Sequence, residues 1–262
     1  MGIQYTEPEA LSGSTRTVPA RWYGHPFVNR LKSYMDVAPG DLDCLWCLIE
    51  AELTVKKRRD LVVDGYEYRK LCIVEEGYAA RYKLLHNGRR QIVNFVMPGD
   101  VVGIPGGFLE RAPYSVITVT DMTLHLCPID AYVRLCYRRP QFGLALSWLA
   151  VHEAIICGEH VINTGRRTPA ERLAHLLLEI YWRLAIAGRA SQARFDLPFS
   201  QEIMSDALGL SVPHLNRTLA RLRADGLIKV NGRSIEFADL EALEMLGQFQ
   251  PFNLTRVPLP PA

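Results

Sequence analysis

The sequence predicts an α+β chain: short strands in the first half, one long helix at the centre, and a compact unit of helices and a hairpin at the end. Three observations carry that order. Turn-punctuated apolar runs crowd residues 60–128, a heptad-like seam follows Pro140, and two capped helix patterns around Gly209 precede an Asn-Gly hairpin. At 262 residues and 48% hydrophobic content, the chain is long enough for two domains, each with its own core.

The first 27 residues, rich in Ser, Thr, Pro and Gly, read as a loose arm. Leu42, Leu45, Leu48 and Ile49 then recur at helical spacing behind Pro39-Gly40-Asp41, predicting a helix over 41–53. Residues 78–85 and 91–96 flank His86-Asn87-Gly88, and Asn-Gly tolerates the positive φ that a tight hairpin turn demands. Further strands over 115–120 and 123–127 complete a set of short strands spaced as in a sandwich or barrel. After Pro140, Leu144, Trp148, Val151, Ile155, Gly158 and Ile162 recur at alternating intervals of three and four. That seam is long enough for one helix to pair with a copy of itself. Thr168-Pro169-Ala170-Glu171 starts the next helix with a hydroxyl cap, a first-turn Pro and a Glu placed to close a capping box.

The most informative segment follows. Ser200 caps a helix over 201–208, Gly209-Leu210-Ser211 makes a tight turn, and Ser211 caps a second helix from Val212 to about Asp225. Two short helices joined by a Gly-containing turn are the helix-turn-helix signature. With Leu215, Leu219 and Leu222 facing inward, His214, Asn216, Arg217, Arg221 and Arg223 are left for other contacts. Arg can bond guanine O6 and N7 bidentately, and Asn can pair with adenine. The hairpin over 227–237, turning at Asn231-Gly232, would act as a wing whose Lys229 and Arg233 neutralise phosphates. Charge follows the same division: residues 1–165 carry 18 basic and 18 acidic side chains, whereas 166–237 carry 11 and 7. A positive excess confined to that segment permits a polyanionic partner there.

The exclusions are equally plain. No apolar run approaches the roughly 18 to 20 residues that span a bilayer, and the polar first 20 residues lack the apolar core of a secretory signal. A membrane partner is therefore not expected, the cytoplasm is the expected compartment, and the six cysteines are expected as thiols. No Gly-x-Ser-x-Gly elbow, Gly-x4-Gly-Lys loop or His-Glu-x2-His helix is present, so an enzyme is not expected.

Residues 28–245 resemble the Crp/Fnr superfamily of transcription regulators. The match is most specific in Phe199-Ser200-Gln201-Glu202, Leu208-Gly209-Leu210-Ser211 and Asn216-Arg217-Thr218-Leu219, and extends through Asp225-Gly226-Leu227-Ile228 and Gly232-Arg233-Ser234-Ile235. Phe95 to Gly103 resembles the family's glycine-bearing strand and turn, and Arg172-Leu173-Ala174 its first DNA-domain helix. The resemblance implies an N-terminal β-roll (a jelly roll of the cyclic-nucleotide-binding kind), a long dimerisation helix and a C-terminal winged helix-turn-helix. The expected divisions are a flexible arm over 1–27, the sensor roll over 28–139, the dimerisation helix over 140–166, the DNA-binding domain over 167–249 and a flexible tail over 250–262. Ser200, Gln201, Ser211, Val212, His214, Asn216, Arg217, Arg221, Lys229 and Arg233 are the expected DNA contacts, and Leu144, Trp148, Val151, Ile155 and Ile162 the expected dimer interface. Arg217 matches the family's guanine-reading Arg, and Val212 matches a Val of the oxygen-sensing Fnr branch. Pro213 replaces a base-contacting Glu, and Asn216 falls where Fnr has Ser. The resemblance thus implies a palindromic operator related to, but not the same as, the Fnr half-site, bound by a homodimer that contacts or blocks RNA polymerase.

The effector is less legible. Family members that bind cyclic nucleotides hold the phosphate with an Arg-Ser or Arg-Thr pair, which a buried anion requires. Here Tyr114-Ser115 stands in that place, Arg111 lies four positions before the Ser, and Cys157-Gly158 occupies the base-contacting pair, which argues against ordinary cAMP binding. An Fnr-type iron–sulfur cluster needs four thiolates, three of them before the first helix, and no Cys precedes residue 44. Cys44, Cys47, His125 and Cys127 leave three options open: a metal, redox-sensitive thiols or plain apolar packing. Histidines 25, 86, 125, 152 and 160 are too scattered in sequence to nominate a haem ligand. No cofactor is identified. The leading expectation is a sequence-specific DNA-binding regulator, and the alternative is an effector- or redox-sensing binding protein in which DNA binding is secondary.

Overall fold

The computed structural model describes residues 17–251, and its elements follow the expected order. Helices α1 (Pro26–Lys32) and α2 (Pro39–Cys47) lead into eight strands: β1 (Ala51–Val55), β2 (Asp60–Val62), β3 (Lys70–Glu76), β4 (Ala79–Leu84), β5 (Arg90–Val96), β6 (Val101–Val102), β7 (Ser115–Thr118) and β8 (Met122–Pro128). Helices α3 (Ile129–Arg138), α4 (Pro140–Gly165) and α5 (Pro169–Ile186) come next. The last unit holds β9 (Arg194–Asp196), α6 (Gln201–Leu208), α7 (Val212–Ala224), β10 (Ile228–Asn231), β11 (Ser234–Phe237) and α8 (Leu240–Gly247).

The first eight strands form two antiparallel four-stranded sheets, ordered β1-β8-β3-β6 and β2-β7-β4-β5. Their inner faces meet in a core of Val55, Val62, Val74, Val96, Val116, Leu124 and Leu126. The alternation of β8 shows why this strand is buried on both faces over Leu124–Cys127. Leu124 and Leu126 point into the roll, while Cys127 faces a second core built by α1, α2, α3 and the start of α4. Gly103, at φ +102°, closes the turn after β6, and a Cβ there would collide with the Lys70 carbonyl.

Three expectations change here. Residues 17–27 do not behave as a loose arm: a short 3₁₀ turn over Ala20–Gly24 buries Trp22, and His25 and Phe27 are buried with it. Residues 1–16 and 252–262, including most of the expected tail, lie outside the described residues. The helix expected to reach Leu53 ends at Cys47, because Ala51–Val55 pairs with β8 as a sheet edge and tertiary pairing overrides local spacing. Finally, Pro140–Gly165 is long and apolar enough to cross a bilayer by length and composition, although no such run was expected. Its inward positions Phe142, Ala145, Leu149, His152 and Ile156 pack on its own domain, and its outward face is also apolar.

α5 is the hub of the C-terminal half. Its start is the expected capping box: Glu171 accepts from the Thr168 amide at 2.7 Å, and Thr168 Oγ1 accepts from Glu171 N–H at 3.5 Å. Leu173, Leu176, Leu177, Leu178, Ile180 and Leu184 are all buried, as expected of a helix covered on every side. The same core includes Ile92, Phe95 and Met97 of the roll, so the two halves share apolar packing, with the Phe95 and Phe199 rings 4.0 Å apart.

Candidate nucleic-acid interface

Ser200 Oγ accepts from the Ile203 amide at 3.3 Å, fixing the start of α6. Gly209, at φ +64°, ends it in the left-handed conformation that lets the chain turn into α7. Ser211 occupies the N-cap position of α7, but its side chain makes no capping bond, which corrects the expected role of its hydroxyl. Pro213 tolerates the first turn because its missing N–H would be unpaired there.

Leu215, Thr218 and Leu222 are buried, and this orientation forces Asn216, Arg217, Arg221 and Arg223 outward. Val212 and His214 are half-buried, while Ser200 and Gln201 are exposed at the start of α6. Strands β10 and β11 pair as the expected hairpin, with Asn231 opposite Ser234, and β9 adds a third strand on the far side of β11. Lys229 Nζ lies 2.7 Å from Glu236 Oε1, and Arg221 Nε 3.6 Å from Asp225. Arg217 and Arg233 are exposed and, among the described residues, make no ion pair.

The last unit is attached to the roll by polar contacts. Arg90 of β5 engages Asp206 of α6, and Gln91 Nε2 donates to the Asp206 carbonyl at 3.0 Å. Deeper in, Arg183 of α5 donates to Asp100 at 2.7 Å, to the Phe95 carbonyl at 2.8 Å, to Asn94 at 3.0 Å and to Glu179 at 2.9 Å. Arg30 of α1 meets the other oxygen of Asp100. Glu179 also meets His160 Nε2 of α4 at 2.7 Å, while His160 Nδ1 donates to the Val93 carbonyl at 2.8 Å. Both bonds are complete only when the imidazole is doubly protonated. Burial alone pushes His160 down, but Glu179 and these bonds outweigh it and raise it. Burial likewise pushes Glu179 up, yet His160 and Arg183 hold it at about 2.

The expected effector residues divide. Arg111 points away from the roll, exposed, and donates to the Gly65 carbonyl at 3.2 Å, so it does not enter the interior. Ser115 Oγ accepts from the Asp64 amide at 3.0 Å. Tyr114 does face inward, with the Arg81 guanidinium 4.5 Å above its ring. Arg81 pairs with Glu153 of α4, and Asn94 donates to the same carboxylate at 3.0 Å. Burial pushes Glu153 up, but Arg81, Arg183 and Arg30 bring it down to about 2. Burial and the Glu153 charge push the Cys157 thiol up. An internal ion pair thus lies beside Tyr114, the residue that stands in the place of the family's phosphate-holding Arg.

Arg81 and Glu153 were not singled out from sequence. The available signal was an Arg in the middle of Ala80-Arg81-Tyr82, at a position whose neighbours read as strand core.

The proposed Cys44, Cys47, His125 and Cys127 set is not assembled. Cys47 is exposed, Cys44 half-buried, and Cys127 lines an apolar cavity with its thiol pushed by burial up to about 12. His125 instead stands beside His25 and Glu75.

Of the expected seam, Leu144, Val151, Ile155 and Ile162 are exposed, with Val161 beside them. Trp148 departs from it: its ring stacks 3.7 Å from Tyr34 and 5.1 Å from His152, and it packs on its own chain.

Two family models match the chain: the Crp-like helix-turn-helix domain over residues 171–246 and the cyclic nucleotide-binding domain over residues 52–139. The nitrogen fixation regulation protein FixK of Bradyrhizobium diazoefficiens is 31% identical over 196 residues, covering 74% of this chain and 78% of FixK. The transcriptional activator protein FnrL of Cereibacter sphaeroides is 31% identical over 176 residues, covering 66% of this chain and 70% of FnrL. The solved structure of FixK2 from Bradyrhizobium japonicum superposes with a TM-score of 0.69 at 27% identity, over 75% of this chain and 96% of FixK2.

Proposed function

Because this chain belongs to the Crp/Fnr family of transcription regulators, and is a DNA-binding regulator rather than an enzyme, we propose that it acts as a homodimer on a palindromic promoter site. The observation that carries this reading is Arg217: it projects from the first half of α7, exposed and without an internal ion pair, next to Asn216. An N-terminal recognition-helix Arg in the major groove can bond guanine O6 and N7. Lys229 and Arg233 on the wing, with Ser200 and Gln201 at the start of α6, supply phosphate contacts that set register. The outward apolar face of α4, centred on Val151 and Ile155, is covered by the same helix of a second copy. That pairing places two α7 helices about one DNA turn, roughly 34 Å, apart.

The half-site differs from the Fnr one at the position that Pro213 leaves unread. The dimer acts in the cytoplasm and contacts or blocks RNA polymerase beside its operator. The Arg81–Glu153 pair supports DNA binding without an added cyclic nucleotide, since Glu153 already supplies the carboxylate that neutralises Arg81.

Selection from random duplex DNA, with reduced protein and no ligand, tests the proposal. The expected result is a two-fold symmetric site. Failure of a folded dimer to enrich any sequence would overturn the effector-free reading, and enrichment of an asymmetric site would overturn the dimeric one.

A further inference from the structure

His25 ends the 3₁₀ turn before α1, and its Nδ1 accepts from the Phe27 amide at 3.1 Å. His125 lies on β8 with its Nε2 2.9 Å from Oε2 of Glu75. Glu75 is the extra residue of a bulge: Val74 pairs with Leu124 and Glu76 with Thr123, which leaves Glu75 outside the ladder and aimed at His125. The two imidazoles are 5.2 Å apart, and Trp22 packs against both, 4.5 Å from His25 and 5.4 Å from His125. The rings are 2% and 1% exposed, and the Glu75 side chain opens to solvent at 16%.

One ligand atom from each of the three residues lies within 4.8 Å of the other two. His25 Nε2 and His125 Nδ1 are buried with no hydrogen-bond partner among the described residues. Natural proteins rarely seal such atoms without a partner, and an ion held by His25 Nε2 would supply one for that ring. Trp22 and the second indole of Trp46, 5.9 Å from His125, leave Glu75 as the side open to entry.

We propose that His25, Glu75 and His125 form a binding site for a divalent transition-metal ion of the zinc class. Two imidazole nitrogens and one carboxylate oxygen suit zinc, cobalt or iron(II), whereas calcium and magnesium favour all-oxygen sets. A fourth position is left to water. Each imidazole coordinates in its neutral form and keeps one proton. Where the proton now bridges His125 Nε2 and Glu75, the ion takes its place and the ring proton moves to Nδ1. At His25 the accepted Phe27 amide bond requires the ring proton on Nε2. Coordination through Nε2 sends that proton to Nδ1, so the Phe27 bond opens. Loading therefore exchanges one helix cap for one ligand.

Cobalt(II) chloride titrated into chelator-treated, full-length protein tests the site by visible absorption, with hydrogen exchange at the Phe27 amide as a second readout. The expected result is one ion per chain, with the visible bands of nitrogen and oxygen ligation and no thiolate charge-transfer band, and faster exchange at Phe27. Binding should disappear in His125→Ala and weaken at least about tenfold in Glu75→Gln, and should be unchanged in Cys44→Ser/Cys47→Ser. Glu75 is the decisive position, because it sits at the rim and Gln keeps its shape, so a folded variant is testable even where His125→Ala fails to fold. Absent binding, binding indifferent to Glu75→Gln, or a thiolate band lost with the two cysteines would overturn the proposal.

Discussion

Arg90, on the second strand of the roll's hairpin, donates from Nε and Nη2 to one oxygen of Asp206 on α6, at 2.9 and 2.6 Å. A contact between residues 116 positions apart thus ties the roll to the first helix of the reading unit. Both side chains are roughly a quarter exposed, so solvent screens the pair. Asp206→Ala should lower stability by about 1 kcal/mol or less. A double-mutant cycle with Arg90→Ala, read by chemical denaturation, should assign most of that loss to the pair. Zero coupling would mean that apolar packing alone docks the two halves.

Arg217→Ala should weaken operator binding by roughly 1–3 kcal/mol and relax preference at one base pair of each half-site. Arg217 is exposed, so the thermal transition should not move. Competition binding against a set of singly altered operators measures both effects. Wild-type affinity and preference would reject the docking of α7.

Ile155→Asp places a charge in the middle of the outward face of α4, where Ile155 is 47% exposed in the single chain. The monomer fold should survive, because nothing inward is altered, while the dimer should dissociate. Sedimentation should report monomers, and full-site DNA affinity should fall toward that of a half-site. An unchanged dimer would place the interface elsewhere.

Stability should be greatest near neutral pH and fall on both sides. His152 is pushed down to about 3 by burial and by Arg30 and Arg183. Between its ordinary value near 6.5 and 3 the unfolded chain therefore takes up a proton that the folded chain refuses, and stability falls with falling pH. Glu179 and Glu153, held at about 2 against the ordinary glutamate value near 4.5, add a second loss between those two values. His160 acts oppositely: it is raised, so its contribution is full below 6.5 and is lost as pH rises through its folded value. Denaturation at a series of pH values checks the profile. His152→Leu should flatten the limb between pH 6.5 and 3, and an unchanged limb would remove His152 from the account.

Much of this molecule is legible from the chain alone where a local rule decides. Asn87-Gly88 and Asn231-Gly232 mark both hairpins, Thr168 and Glu171 mark the start of α5, and the Ser200–Gly209 pattern marks the helix-turn-helix. What escapes is set by distance in sequence. Arg30, Asp100 and Arg183 share no local pattern in the sequence, and only the fold encloses them together. His25 and His125 have no shared periodicity, and only the bulge at Glu75 turns a carboxylate toward them. β9 is invisible because its three residues are a strand only by pairing with β11. Trp148 obeys the heptad spacing and still turns inward, because Tyr34 offers it a stacked face.

The continuous packing around α5 has an evolutionary consequence. Phe199 and Asp206 on one side, and Phe95, Asp100 and Arg90 on the other, form matched surfaces, with Arg183 binding into both Asn94 and Asp100. A recombination that joined this roll to a relative's DNA domain at Arg166 would leave Asp100 with Arg30 alone and would take the Phe199 ring away from Phe95. The two halves are therefore not interchangeable modules. Lineages of this regulator should exchange whole genes, and new operator preferences should arise by point changes on the outer face of α7, where no partner within the chain objects.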